Sequence, residues 1–90
     1  MKKEDKLIEF YGTECVHCKE SEPIIEKLEK LDKIKITRLE VWHNSANAKI
    51  FENYDKGKCG GVPFFYNEKT KKWICGTPTY EKLKKWALEK

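Results

Sequence analysis

In Leu7-Ile8-Glu9-Phe10-Tyr11-Gly12-Thr13-Glu14-Cys15-Val16-His17-Cys18-Lys19, a short apolar run stops at a glycine, and two cysteines follow with two residues between them. Leu7, Ile8, Phe10 and Tyr11 crowd residues 6–11, which reads as a strand ended by Gly12. A helical pattern follows over residues 14–31. Ile24, Leu28 and Leu31 recur at helical spacing with Ile25 beside them, and charges fill the other face. Pro23 lies inside this pattern and has no N–H to give the preceding turn, so a kink is expected there. The C-x-x-C therefore sits where a strand gives way to a helix.

The rest of the chain continues the alternation. Residues 34–41 read as a second strand, with Ile34, Ile36, Leu39 and Val41 as its apolar set. Asn44 or Ser45 can cap a helix that runs to about Tyr54, with Ala46, Ile50 and Tyr54 on a shared face. Residues 56–61 form a glycine-rich loop, and Val62-Pro63-Phe64-Phe65-Tyr66 opens a third strand. Residues 67–70 make a hairpin turn, residues 73–75 return as a strand, and Gly76 breaks it. Thr77 or Thr79 then caps a last helix with Pro78 in its first turn. Tyr80, Leu83 and Ala87 mark the buried face of that helix, with Trp86 next to it. The order β-α-β-α-β-β-α predicts an α/β fold: a mixed four-stranded sheet with helices on both faces, its first half paired in parallel.

A chain of 90 residues is one domain, residues 1–90, with one small core. No run of about 18 apolar residues exists, so no membrane-spanning helix is expected. Residues 1–6 carry no apolar signal segment, which makes the cytoplasm the default compartment. The net charge of +4 is intermixed, as in Glu26-Lys27-Leu28-Glu29-Lys30, and Arg38 is the only arginine. That pattern describes solvated helix faces and argues against nucleic acid as a partner. A monomer is expected.

Chemistry concentrates in Cys15-Val16-His17-Cys18. A cysteine at a helix N-terminus faces unpaired N–H groups and the positive dipole end, which stabilise a thiolate. The i, i+3 spacing brings both sulfurs within disulfide reach. Cys15 is expected to be exposed and to attack, and Cys18, one turn in, to be shielded and to resolve. An imidazolium at His17 would lower the thiol pKa further. The competing readings of the motif are half of a zinc site and a structural bridge; the strand-to-helix setting favours redox chemistry.

This segment resembles the active-site segment of the thioredoxin family. Pro23, five residues past the second cysteine, matches the proline inside that family's active-site helix. Gly61-Val62-Pro63 matches its cis-proline loop, and Gly76 matches the glycine lining its substrate groove. These matches run from about Leu7 to the C-terminus. The resemblance implies a minimal, glutaredoxin-like version of the fold, without the extra N-terminal strand and helix of full-length thioredoxins. It also implies a protein disulfide oxidoreductase that needs no cofactor, since electrons travel through thiols.

Residue by residue, the resemblance makes Cys15 the nucleophile and Cys18 the resolving thiol. Glu9 falls where thioredoxins have a buried acid that exchanges protons with that second cysteine. A carboxyl whose pKa is raised by burial can take the proton that Cys18 must lose. The plainer reading of Glu9 is a strand glutamate paired with a lysine or facing water. Arg38 falls where the family has a lysine that pairs with the acid; otherwise it is a surface residue. Pro63 is expected to be cis by this analogy, and the Val62 backbone then pairs with an extended substrate segment; the alternative is an ordinary trans proline at a strand edge. Tyr11 stands where thioredoxins carry a tryptophan and reads either as groove wall or as core packing. Val16 and His17 depart from the family's Gly-Pro. A histidine before the second cysteine resembles disulfide isomerases and bacterial disulfide oxidases, which leaves the direction of electron flow open.

Cys59 and Cys75 lie outside the family pattern. They read as two small buried hydrophobes, as a second disulfide, or as metal ligands together with Cys15 and Cys18. His43, alone in a polar loop, reads as a surface residue, and Trp73 and Trp86 as packing. The partners expected are disulfide-containing proteins, with a reductase or glutathione as electron donor. Two alternatives remain: a glutaredoxin-like, glutathione-dependent carrier, and a metal-binding module built on the four cysteines.

Overall fold

A computed structural model describes residues 7–88. Its elements are β1 (Leu7–Tyr11), α1 (Val16–Asp32), β2 (Thr37–Glu40), α2 (Ser45–Asp55), β3 (Phe64–Asn67), β4 (Lys72–Cys75) and α3 (Tyr80–Leu88). The sheet runs β2-β1-β3-β4. β1 pairs in parallel with β2, while β1–β3 and β3–β4 are antiparallel. This is the mixed four-stranded sheet and element order expected from the sequence. The expected first strand residue, Lys6, lies outside the described residues.

Side chains of β1 alternate between two cores because successive residues of a strand face opposite sides. Leu7 joins Ile25, Leu28, Ile36, Phe65, Leu83 and Trp86 beneath α1 and α3. Ile8 and Phe10 join Val41 and Phe64, with Phe51 and Tyr54 of α2 packed against them. Glu9 has the parity of Leu7, so the central strand aims a carboxyl into the side covered by α1.

Several boundaries and faces differ from expectation. The second strand is shorter than residues 34–41: only residues 37–40 pair in the sheet, and Ile36 reaches the core from the connection before it. Leu31 is 62% exposed although it keeps the helical period of Ile24 and Leu28. It lies in the last turn of α1. In α2 the face turned inward is Ala48, Phe51 and Tyr54, whereas Ala46 and Ile50 face solvent. Pro78 precedes the first turn of α3 instead of standing in it. Thr79 is the cap, accepting the Lys82 N–H on its hydroxyl at 3.1 Å. Trp86 packs as expected, but Trp73 is 40% exposed, with its ring centroid 6.1 Å from that of Phe64.

The loop before β3 is organised by the buried Asp55. Its carboxylate accepts N–H groups from Gly57, Cys59 and Gly60. The hairpin after β3 is organised by Asn67, whose side-chain oxygen accepts from Lys69 and Thr70 while its amide donates to the Trp86 carbonyl. Asp55 at the end of α2 thus orders the start of the loop facing the cysteines, and Asn67 at the end of β3 orders the hairpin turn.

Candidate active site

Cys15 is the N-cap of α1, with φ −75° and ψ 117°. Its N–H donates to the Gly12 carbonyl at 3.1 Å, and its own carbonyl accepts the Lys19 N–H. An N-cap side chain folds back over the free N–H groups of the first turn. The Cys15 sulfur does this, accepting the Cys18 N–H at 3.1 Å, and its thiol donates to the Val62 carbonyl at 3.7 Å. Cys15 is therefore only 5% exposed, contrary to the expectation of an open nucleophile, because the capping rotamer and the Val62 loop cover it. Cys18 is buried as expected, and both thiols are free. Burial first, then the hydrogen bond with Cys15, push the Cys18 thiol up to about 12.

Val16 and His17, between the cysteines, point outward. Val16 is 66% exposed. The His17 Nδ1 lies 3.1 Å from a Glu20 carboxylate oxygen and pairs along the helix instead of with a sulfur.

Glu9 is completely buried, and burial raises its carboxyl to about 7 against the restraining charge of Arg38. The β1–β2 register sets Arg38 directly beside it, and the Arg38 Nε–Glu9 Oε1 distance is 2.6 Å. The other oxygen, Oε2, is buried with no hydrogen-bond partner. Buried polar atoms without a partner are uncommon, and this one leaves the Glu9 carboxyl with an open acceptor in the core. Glu9 is close enough to Cys18 for its charge to contribute to the raised thiol pKa. Arg38 also reaches Glu22 at 3.5 Å and lies over the Tyr11 ring at 4.4 Å. Tyr11 is thus partly exposed and stacked under the guanidinium, not packed in the core.

Arg38→Met removes the cation that holds Glu9 down. The Glu9 carboxyl is then expected to climb by about one pH unit or more. Carboxyl carbon NMR of Glu9 against pH checks it; an unmoved titration overturns the pairing as a control on this acid.

The loop facing the dithiol carries Val62 and a Val62–Pro63 peptide bond that is cis. The Pro63 carbonyl accepts the Gly76 N–H at 2.9 Å. Gly76 has φ +93°, a conformation that favours glycine. Cys59 and Cys75 are bonded to each other with Cα atoms 5.5 Å apart. They are neither buried hydrophobes nor partners of Cys15 and Cys18. Among the described residues no cluster of three or more His, Cys, Asp or Glu is placed to hold a metal ion, so the four-cysteine site considered from the sequence is not assembled.

Four features near the site carry no local sequence signal. The Glu40 carboxylate ties the strand-to-helix turn to the next loop, accepting from the Thr13 N–H and hydroxyl and from the His43 N–H. His43 is exposed as expected, yet its ring pairs with Glu14 at 2.8 Å, 29 residues away in sequence. The exposed Trp42 indole lies against Gly12, where a Cβ would collide with it. The Thr77 hydroxyl donates to the His17 carbonyl at 3.1 Å. Each depends on a strand register or a loop approach that residue spacing does not encode.

A family model described as Thioredoxin matches residues 1–89. A search of the curated proteins returned no match.

Proposed function

The chain belongs to the thioredoxin family, and from that premise we propose that it is a thiol–disulfide oxidoreductase acting through Cys15 and Cys18. A thioredoxin-like redox function follows from the family. The finer reading is supported by one observation above all: two free thiols meet at the start of α1, where the Cys18 N–H donates to the Cys15 sulfur at 3.1 Å.

In the proposed reaction the Cys15 thiolate attacks one sulfur of a substrate disulfide. A mixed disulfide forms and the substrate's other sulfur leaves as a thiolate. The Cys18 N–H aimed at the Cys15 sulfur is placed to stabilise charge there. Cys18 then passes its proton to Glu9 and attacks the Cys15 sulfur. The second substrate thiolate leaves, and the chain is left with a Cys15–Cys18 bridge. Val62, Pro63 and Gly76 would hold an extended substrate segment, with Tyr11 at the edge of the site. The reverse sequence oxidises a substrate dithiol. Disulfide-bonded proteins are the proposed substrates, a reductase or glutathione resets the pair, and the cytoplasm is the proposed setting.

The test is a redox equilibrium in glutathione buffers, with alkylated thiols located by mass spectrometry. A Cys15–Cys18 couple near about −270 mV assigns a reductase, and one near about −120 to −180 mV an oxidase or isomerase. Cys15 and Cys18 that never bridge each other at any ratio overturn the reading.

A further inference from the structure

Cys59 and Cys75 take no part in that exchange, yet their bridge lies at the root of the loop that covers Cys15. It joins the loop between α2 and β3 to the last residue of β4. Cys75 stands opposite Phe64, the residue after Pro63, in the β3–β4 register. Gly76, next in sequence, donates to the Pro63 carbonyl, and Thr77 donates to the His17 carbonyl of α1. On the other side, the loop that starts from Cys59 delivers the Val62 carbonyl to the Cys15 thiol. One covalent link thus connects the loop, the end of β4 and, through Thr77, the cysteine helix. The start of the loop is also held by Asp55, whose carboxylate accepts three N–H groups and whose carbonyl accepts the Lys58 N–H. The bridge is also reachable: Cys75 is exposed and Cys59 half-buried, whereas Cys15 and Cys18 are buried. Exposed disulfides are the ones that partner thiols reduce most readily.

We propose that Cys59–Cys75 is a second, regulatory thiol–disulfide site that acts on substrate binding. Closed, it holds Val62 and Pro63 in position to receive a substrate strand. Opened by an external dithiol, it frees the loop and weakens that binding. In the opening step a thiolate of the dithiol attacks the Cys75 sulfur, the bridge breaks and Cys59 leaves as a thiolate. The dithiol's second thiolate then attacks the mixed disulfide and releases Cys75. The dithiol departs as a disulfide, its two electrons and two protons now on Cys59 and Cys75. The effect on binding rests on the exchange reading above; the opening itself does not.

The test has two arms. In the first, the intact protein is titrated with dithiothreitol, thiols are located by alkylation and mass spectrometry, and amide hydrogen exchange is followed over residues 57–62. Cys59 and Cys75 are expected to label while circular dichroism stays native, with exchange in that loop at least about tenfold faster. A bridge that opens only when the whole chain unfolds, or a loop whose exchange does not change, overturns the proposal. In the second arm, Cys18→Ser is compared with Cys18→Ser/Cys59→Ser/Cys75→Ser in forming a mixed disulfide with a peptide disulfide. The half-saturating peptide concentration is expected to rise about tenfold, with the saturating rate changed less than about twofold. Equal half-saturation in two folded variants overturns the proposal. If Cys18→Ser with its bridge intact forms no mixed disulfide, the exchange reading is what fails, and the first arm still decides whether the bridge is a reversible clamp.

Discussion

Cys18→Ser is expected to stop the reaction halfway. The variant keeps Cys15 and its capping geometry, so it still attacks a disulfide. A serine hydroxyl cannot displace the mixed disulfide, and the protein–substrate adduct accumulates to one per chain. Steady-state turnover falls by more than about 10³-fold, because the second sulfur is part of the reaction and not an aid to it. Cys15→Ser loses turnover to the same degree but captures nothing. Intact-mass spectrometry after mixing each variant with a disulfide peptide reads the difference directly. Exposure does not assign these roles, since both cysteines are buried. The assignment rests on two other facts. Cys15 is the sulfur that receives an N–H donor, and Cys18 is the thiol that burial pushes up to about 12. A thiol held that high is almost wholly protonated at neutral pH and does not start an attack unaided. An adduct on Cys15→Ser in place of Cys18→Ser would reverse the two roles.

The strand-to-helix junction that holds the dithiol was legible because its signals are local. An apolar run, a glycine and a helical period lie within one stretch of chain. The element order was legible for the same reason. The parallel pairing of β1 with β2 was legible from the alternation of strands and helices, but its register was not, and only the family resemblance set Arg38 against Glu9. That Glu9 meets Arg38 depends on a parallel register joining residues 29 apart, and no spacing encodes that register. The face of α2 was misread because two stripes share Tyr54. Residues 46, 50 and 54 keep helical spacing as well as residues 48, 51 and 54 do. The aromatic cluster of Phe10, Phe51 and Phe64 decides between them, and it exists only once the sheet is built. Cys15 was misjudged because C-x-x-C spacing shows a cysteine at the helix start but not that its sulfur folds back as the cap. A Cys59–Cys75 bridge was one of three readings of those cysteines, and the choice among them waits on the β3–β4 hairpin, which brings the end of β4 to the loop.

The same buried acid that serves the resolving step should weaken the fold, and Glu9→Gln separates the two effects. In the unfolded chain a glutamate loses its proton near 4.5, whereas the folded Glu9 keeps it to about 7, chiefly because burial penalises the charge. Between those values the native state holds a proton that the unfolded state has lost, so raising the pH through this window favours unfolding. Below it both states are protonated and nothing is lost. Above it the cost levels off at about 3 kcal/mol. Glutamine cannot ionise, so Glu9→Gln is expected to show no such decline. Urea unfolding at pH 5 and pH 8 should find the wild type losing roughly 2–3 kcal/mol between them relative to the variant. Arg38, left without its partner, remains partly exposed and close to Glu22, so no buried unpaired charge offsets the gain. Activity moves the other way. With no carboxylate to take the Cys18 proton, the resolving step is expected to slow by about 10²-fold at neutral pH. Its rate in the wild type should climb through about pH 7, following Glu9 ionisation, and that inflection should vanish in the variant. Stopped-flow measurement of mixed-disulfide resolution across pH 5 to pH 9 resolves both features. A variant that becomes more stable yet resolves at the wild-type rate would leave Glu9 as a buried structural acid and require another acceptor for the proton.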